Sequence, residues 1–190
     1  MLSQKEVLDI FKKAGALLEG HFKLTSGLHS MQYVEKFQVL QWPKYTEQLC
    51  KEIAKRFRND SIQVVVGPVT GGILLAHEVA KELGTRAIFT EREEGKMTLR
   101  RGFEIKPGEK VLIVEDIITT GGSVLEVIEV VKAHKGSLAG VGLLVDRSNG
   151  KVEFGVRKEA LATLDIKSYD PAKCPMCEKG IPITKRGSRK

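Results

Sequence analysis

The chain is poor in cysteine and in aromatic residues: its 190 residues include three cysteines and one tryptophan, and aromatic residues make up 6%. Three cysteines are too few for a disulfide framework, and their scarcity fits a reducing compartment. No cluster of aromatic residues accompanies the basic ones, which argues against a stacking platform for nucleic acid. The sequence therefore excludes a disulfide-stabilised secreted domain and gives no support to a nucleic-acid module.

Long apolar runs are also missing. The longest, such as residues 64–66 and 111–114, have the length of a strand and fall far short of the roughly 20 residues that a membrane helix needs. The N-terminus mixes acids and lysines in an amphipathic pattern and does not read as a signal peptide. We therefore expect no membrane partner and a cytoplasmic location.

What the chain has is an ordinary globular composition with a positive charge balance. Hydrophobic residues make up 42% and charged residues 29%, and 31 Lys and Arg against 24 Asp and Glu give a net charge of +7. This length favours one domain. The basic residues concentrate in residues 91–101 and in a C-terminal tail that we expect to be disordered. Such a balance suits a small polyphosphate as well as nucleic acid.

Apolar runs alternate with helical patterns along most of the chain. This order predicts a single doubly wound α/β domain, with a mostly parallel sheet covered by helices on both faces. Ligands of such sheets bind beyond the carboxyl ends of the strands. The predicted strands are residues 62–66, 87–90, 111–115, 139–145 and 161–166, and the predicted helices are residues 71–83 and about 122–135. Two further helical faces comprise Val7, Ile10, Phe11, Ala14, Leu17 and Leu18, and Tyr45, Leu49, Ile53, Ala54 and Phe57.

The segment from residue 111 to residue 123 carries the strongest chemical signal. A buried strand ends in two adjacent acids, Glu115 and Asp116, and two hydroxyl residues, two glycines and Ser123 then open a helix. Backbone N–H groups at a helix N-terminus, unobstructed at glycine, can bind a phosphate group. Two repelling carboxylates beside it are best explained by a sugar diol or a hydrated metal. The alternative is an ordinary strand–turn–helix junction whose acids cap the helix.

This string resembles the phosphoribosyl pyrophosphate signature of the type I phosphoribosyltransferases. The resemblance implies that the acids Glu115 and Asp116 bind the ribose hydroxyls, partly through Mg²⁺, and belong to the catalytic residues. It also implies that the following residues hold the phosphoribosyl pyrophosphate: Ile117, Ile118, Thr119, Thr120, Gly121, Gly122 and Ser123. The family's fold adds a small hood of helix and strands at the N-terminus. We therefore expect one domain over residues 1–170 and a C-terminal extension over residues 171–190.

Other motifs resemble the orotate-using branch of that family, in the branch's own order. Residues 21–30 followed by Tyr33 resemble its N-terminal motif, and residues 67–72 resemble its pyrophosphate loop, although many members have lysine at the positions of Thr25 and Gly71. Asp146-Arg147 matches an arginine that faces the orotate carboxylate, a role that suits a planar guanidinium. The resemblance implies that orotate contacts Thr25, Ser26, Thr119 and Arg147.

Residues 91–102 form a charged segment that is too long for a simple connection. We interpret it as a loop, poorly ordered without ligand, that closes over the pyrophosphate; the alternative is a solvated charged hairpin. Arg92 and Lys96 are expected to bind phosphoribosyl pyrophosphate, and Lys96 and Arg100 to be catalytic. In the resembling family this loop covers the neighbouring subunit's site, which implies a homodimer with shared active sites.

The expected reaction is displacement of pyrophosphate from phosphoribosyl pyrophosphate by orotate, with Mg²⁺ as cofactor, in pyrimidine biosynthesis. Two alternatives remain open. A purine phosphoribosyltransferase would share the phosphate signature, but its base has no carboxylate for Arg147 to bind. A regulator that senses phosphoribosyl pyrophosphate would need a nucleic-acid-binding module, for which residues 1–20 are too few.

The cysteines and histidines suggest no site of their own. Cys50 fits core packing, and Cys174 and Cys177 form half of a zinc knuckle, so a complete Cys₄ site within one chain is impossible. Free thiols, a redox pair and a metal site shared between subunits all remain open for the pair. His21, His29, His77 and His134 are scattered without metal-ligand spacing, and we predict no metal site from them.

Overall fold

The computed structural model describes residues 1–24 and 26–185, and its centre is a six-stranded sheet. The strand order is β5-β4-β3-β6-β7-β8, in which only the β4–β5 pair is antiparallel. The strands are β3 (Val64–Pro68), β4 (Arg86–Glu93), β5 (Lys96–Leu99), β6 (Lys110–Ile118), β7 (Ser137–Asp146) and β8 (Lys158–Thr163). The predicted parallel sheet is therefore confirmed, with slightly shifted strand ends.

Helices cover both faces of this sheet because its strands are apolar on both sides. Val65 packs into one core with helices α1, α3 and α4, whereas Val64 and Val66 pack into a second core against α5. Side chains that alternate along a strand place these neighbours on opposite faces. The helices are α1 (Gln4–Lys13), α2 (Lys36–Leu40), α3 (Pro43–Phe57), α4 (Gly71–Leu83), α5 (Gly122–Ala133) and α6 (Pro175–Glu178).

A second, smaller sheet forms the hood. Its four strands lie in the order β10-β1-β2-β9, and they are β1 (Leu17–Lys23), β2 (His29–Val34), β9 (Ser168–Tyr169) and β10 (Thr184–Lys185). The hairpin β1–β2 supplies the two long strands, and residues from the C-terminal part of the chain add a short strand at each edge. The hood is thus built from both ends of the described chain.

The first predicted helix extended too far. Helix α1 ends at Lys13, and Gly15 adopts a left-handed backbone with φ of +68°. Leu17 and Leu18, which fit the helical spacing, instead begin strand β1 and lie opposite Val34 and Tyr33 of β2. A short apolar pattern fits both the period of a helix and the period of a strand, and the pairing with β2 decided in favour of the strand.

The charged segment 91–102 also differs from the prediction of a loop. Its first residues prolong β4, and β5 returns antiparallel to it, with Glu93 opposite Lys96 across a turn at Glu94 and Gly95.

Among the described residues the longest helix has 15 residues, and none is both long and apolar enough to cross a membrane.

Candidate active site

The two acids of the signature lie within strand β6, which continues to Ile118, rather than at its end. Glu115 is 8% exposed and Asp116 is 1% exposed, so both carboxyl groups are almost completely withdrawn from water. Adjacent side chains of a strand point to opposite faces. Glu115 accordingly lines a cavity on the side of α5, whereas Asp116 faces Gly71 at the start of α4.

The cavity beside Glu115 has a volume of about 220 Å³ and is lined by the loop between β6 and α5. Gly121 precedes α5 with φ of +73°, and a Cβ atom there would come within 2.7 Å of Val152 and 2.9 Å of Phe154, so the turn requires glycine. Exposed hydroxyls and the N-terminus of a 12-residue helix therefore face one small space, as a phosphate site requires. The predicted residues that line it are Arg92, Glu115, Ile117, Ile118, Thr119, Thr120, Gly121, Gly122 and Ser123.

Asp116 is held by a partner that the sequence analysis did not identify. The Lys36 ammonium group, at the start of α2, lies 3.0 Å from Asp116 Oδ1 and 2.9 Å from Oδ2. A Cβ atom on Gly71 would collide with the same carboxylate, so a larger residue there would require the Asp116 side chain to move. No local pattern marks Lys36, because 80 positions separate it from Asp116.

Burial dominates the electrostatics of the acid pair. It raises the pKa of Glu115 to about 8, and the adjacent charge of Asp116 adds to that effect. Burial also raises the pKa of Asp116, although Lys36 opposes the shift. Partial burial acts to lower the pKa of Lys36, but the combined attraction of Asp116, Glu115 and Glu35 outweighs it, and the pKa is raised. A ligand that brings a cation or hydroxyl donors to Glu115 would relieve this unfavourable charge.

Arg147 lies where β7 ends, next to the phosphate loop. Its backbone N–H donates to Ile118 O at 2.9 Å, which ties it to the end of β6. Its Nε is buried and has no hydrogen-bond partner among the described residues. Burial lowers the pKa of its guanidinium, and the Tyr33 phenol of the hood acts in the opposite direction. A buried donor without a partner is costly, so a carboxylate ligand fits this position.

The residue before it, Asp146, positions the turn. Asp146 accepts hydrogen bonds from the Ser148 N–H at 2.7 Å and hydroxyl at 2.6 Å, and from Lys158 at 3.0 Å. Burial would raise the pKa of Asp146, but these hydrogen bonds outweigh it and the pKa lies below its usual value. Asp146 is thus a structural carboxylate that fixes the backbone on which Arg147 stands.

Ser26, another predicted orotate residue, lies in the loop that joins β1 to β2. Ser26 is exposed there, in a turn closed by hydrogen bonds from Leu24 N to Leu28 O and from Gly27 N to Leu24 O. Thr25 lies outside the described residues. The hood therefore carries this loop on the same hairpin as Tyr33, whose strand β2 reaches toward Arg147.

The cations of the charged hairpin divide into two groups. Arg92 lines the phosphate cavity and is held there by Glu126 of α5 at 2.6 Å. Lys96 instead lines a depression on the outer side of α5, and Arg100 pairs with Glu93 at 3.3 Å. Within one chain, Arg92 is therefore brought to the cavity, whereas Lys96 and Arg100 are not among its described lining residues. Asp116 does not line that cavity either, because it faces the opposite side of β6.

The prediction that the histidines are scattered is wrong for two of them. His21 and His29 face each other across the β1–β2 hairpin, with Nε2 of the first 2.9 Å from Nδ1 of the second. Cys174 and Cys177 approach the same two rings. The sequence marked only the cysteine pair, as half of a zinc knuckle, and gave no signal for the two histidines, which lie about 150 positions away from it.

Comparison with known proteins agrees with this geometry. The family described as phosphoribosyl transferase domain matches residues 38–158. The orotate phosphoribosyltransferase of Desulforamulus reducens is 60% identical over 188 residues, which cover 99% of this chain and 98% of the relative. The enzyme of the same name from Pelotomaculum thermopropionicum is 58% identical over the full length of both chains.

Solved structures share the fold. The crystal structure of orotate phosphoribosyltransferase from Aeropyrum pernix superposes with a TM-score of 0.68 at 28% identity, covering 83% of this chain and 93% of that one. Adenine phosphoribosyltransferase from Rhodothermus marinus gives a TM-score of 0.66 at 20% identity, covering 84% and 99%, which shows the shared fold alone. With relatives this similar over its whole length, the chain belongs to the orotate phosphoribosyltransferases of the phosphoribosyl transferase family.

Proposed function

We propose that this chain transfers the phosphoribosyl group of phosphoribosyl pyrophosphate to orotate, forming orotidine 5′-phosphate and pyrophosphate in pyrimidine biosynthesis. The observation that carries the proposal is the position of Arg147. Its Nε is buried and has no hydrogen-bond partner in the described part of the chain, and its backbone N–H donates to Ile118, a residue that lines the cavity. The predicted phosphate loop follows one strand, and an arginine that can bind a carboxylate follows the next. This arrangement suits a sugar phosphate and a base that carries a carboxylate.

The chemistry needs positioning more than proton transfer. The bond from N1 of orotate to the anomeric carbon forms as the bond from that carbon to pyrophosphate breaks, and its electron pair leaves with the pyrophosphate. The proton of N1 passes to the departing pyrophosphate or to water as the new bond forms, so no side chain of the protein has to act as a strong general base. The loop from Thr119 to Ser123 would hold the 5-phosphate, Glu115 the ribose hydroxyls and Arg147 the orotate carboxylate. Aligning the two reactants in this way supplies much of the rate.

The donor atoms at the site also fit Mg²⁺. Carboxylate, hydroxyl and phosphate oxygens are its preferred ligands, and the ion usually retains several waters. Glu115 would hold it indirectly, through the ribose hydroxyls or through water, whereas Asp116, the second predicted acid, faces the other side of β6 and is paired with Lys36. A buried carboxyl group whose pKa is raised to about 8 gains from a nearby cation, which supports this assignment. When bound, Mg²⁺ stabilises negative charge on the departing pyrophosphate.

A homodimer with shared sites is part of the proposal. Lys96 and Arg100 are exposed in the charged segment 91–102 and are turned away from the chain's own cavity. The site that they could complete is therefore that of a neighbouring subunit. The proposal also keeps the predicted cytoplasmic location.

The decisive experiment follows orotate absorbance during incubation of the purified protein with phosphoribosyl pyrophosphate and Mg²⁺. We expect orotate to disappear, orotidine 5′-phosphate to accumulate in equal amount and a chelator of Mg²⁺ to stop the reaction. Adenine, guanine and hypoxanthine are offered in parallel. Turnover of a purine with orotate untouched would establish the purine alternative, and tight binding of phosphoribosyl pyrophosphate without any turnover would favour a sensing regulator.

A further inference from the structure

A cluster of four side chains in the hood lies outside the candidate phosphoribosyl site. His21 and His29 lie on β1 and β2, and Cys174 and Cys177 lie at the start and within the first turn of α6. One nitrogen or sulfur atom from each residue comes within 4.8 Å of all the others. His21, His29 and Cys174 are buried and Cys177 is exposed, so the cluster lies at the edge of the protein interior.

The distances among these atoms are those between the ligands of a tetrahedral zinc ion. With Zn–S of about 2.3 Å and Zn–N of about 2.0–2.1 Å, neighbouring ligand atoms stand ~3.3–3.8 Å apart. Nε2 of His21 lies 3.6 Å from Cys174 Sγ and 3.8 Å from Cys177 Sγ. Nδ1 of His29 lies 3.3 Å from Cys177 Sγ, and the two nitrogens lie 2.9 Å apart, which is shorter than the ideal edge.

The hydrogen bond behind His21 sets the ring for metal binding. Its Nδ1 lies 2.7 Å from the backbone carbonyl oxygen of Ile181, which can only accept. Nδ1 therefore carries a proton, which in the neutral ring leaves the lone pair on Nε2, the nitrogen that faces His29 Nδ1 and the two sulfurs. A ligating histidine whose other nitrogen donates to a carbonyl is the usual arrangement around protein-bound zinc.

We propose that His21, His29, Cys174 and Cys177 bind one Zn²⁺ ion in a closed structural site. Two imidazoles and two thiols in a tetrahedron select zinc among the common ions. Four protein ligands leave no open position for a substrate, so the ion stabilises the fold and takes no part in the chemistry. A disulfide between the cysteines would satisfy neither imidazole, whereas zinc satisfies all four groups.

The ion would tie together parts of the hood that otherwise share few contacts. Strand β10 pairs with β1 over two residues, and β9 pairs with β2 over two. The two histidines stand eight positions apart, at the base of the loop that carries Ser26. Zinc therefore fixes the base of this loop against the C-terminal extension. Insofar as the loop contacts orotate, which rests on the proposed function, the ion also preorganises the base-binding side of the site.

The test measures metal directly in the full chain, expressed in medium containing zinc and purified without chelator. Elemental analysis is expected to find about one zinc per chain, released when a mercurial reagent titrates the thiols. Replacement by Co²⁺ should give the intense visible bands of a tetrahedral ion together with thiolate charge-transfer absorption. His29→Gln and Cys177→Ser should lower the zinc content below about 0.1 per chain. The matched control His77→Gln, at an exposed residue of α4, should retain the ion.

The zinc content of the wild-type chain tests the proposal even if the variants fail to fold. A reduced, folded wild-type chain that binds no zinc at micromolar concentration would overturn the proposal, as would a Cys174–Cys177 disulfide in the protein isolated from cells. A second arm separates this proposal from the proposed function. Removing zinc should raise the KM for orotate with little change in that for phosphoribosyl pyrophosphate. Zinc bound by these ligands in a protein that never uses orotate would support the site and reject the function.

Discussion

Lys36 and Asp116 form an ion pair in which one ammonium group contacts both oxygens of a carboxylate that is 1% exposed, at 2.9 and 3.0 Å. The pair joins the start of α2, next to the hood, to the carboxyl end of the central sheet. Asp116 cannot be hydrated at this depth, so its charge depends on Lys36. The pair thus couples the position of the hood to the state of the acid predicted to serve the ribose.

Replacing Lys36 by methionine should destabilise the protein by about 1–3 kcal/mol, because it leaves a buried carboxylate without its partner. The lysine side chain is 35% exposed, so the cost should lie below that of a fully buried pair. In an Asp116→Asn background the same substitution should cost less than ~0.5 kcal/mol. Urea unfolding of the four proteins checks this. Lys132→Met, at an exposed residue, is the control, and equal costs in both backgrounds would contradict the coupling.

Glu115 should make the ligand-free protein less stable as the pH rises. Its folded pKa, about 8, lies above the value of 4.5 for an unfolded glutamate. The folded state therefore holds the proton more tightly, and stability falls between pH 4.5 and pH 8. Glu115→Gln removes this penalty and should raise Tm by roughly 5 °C or more at a pH just above 8, since ~1 kcal/mol moves Tm by about 2–4 °C in a domain of this size. Near the unfolded pKa the difference should vanish.

Thermal unfolding in buffer without Mg²⁺ or phosphoribosyl pyrophosphate is the measurement for Glu115. Glu126→Gln serves as the control, because this glutamate lines the same cavity but is 40% exposed and paired with Arg92. If the difference in Tm between Glu115→Gln and the wild type did not change with pH, the prediction would be wrong. The carboxyl group of Glu115 would then ionise in the folded protein without a cost in stability.

Arg147→Ala should lower kcat/KM for orotate by about 10²-fold or more, because losing a charge-assisted hydrogen bond costs about 1.5–3 kcal/mol. The KM for phosphoribosyl pyrophosphate should change little, since the phosphate cavity lies on the neighbouring strand. Steady-state kinetics with each substrate varied in turn gives the result. Arg58→Ala, at an exposed residue after α3, is the control, and equal weakening of both substrates by Arg147→Ala would mean that Arg147 supports the fold.

The shared-site proposal predicts complementation between two inactive proteins. One carries alanine at Lys96, Arg100 and Arg101, and the other carries Glu115→Gln with Asp116→Asn. After subunit exchange, each heterodimer should contain one site with an intact hairpin and an intact acid pair. A random mixture should then reach about a quarter of wild-type turnover, since half of the dimers are mixed and one of their two sites works.

Turnover is measured before and after exchange, with heterodimers confirmed by mass spectrometry of differently tagged chains. If each hairpin served its own subunit, no mixture could recover activity. Heterodimers that remain inactive would therefore leave the hairpin acting only on its own chain, or on neither.

The local features of this protein followed from the sequence. The segment from β6 through Gly121 to α5 is contiguous, so the change from an apolar run to a glycine turn and a helical period predicted the strand, the turn and the helix correctly. Helix α4 begins and ends where its pattern predicted. Arg147 could be placed as well, because the carboxyl ends of parallel strands meet at one edge of a sheet and β7 follows β6.

What only the tertiary structure decided were contacts between distant parts of the chain. Lys36 meets Asp116 across 80 positions, and His21 meets Cys174 across 153, because the chain returns to the hood after completing the central sheet. The end of α1 depended likewise on the pairing of β1 with β2. A sequence pattern reports the preferences of neighbouring residues, whereas these contacts depend on where packed strands and helices place residues that are far apart along the chain.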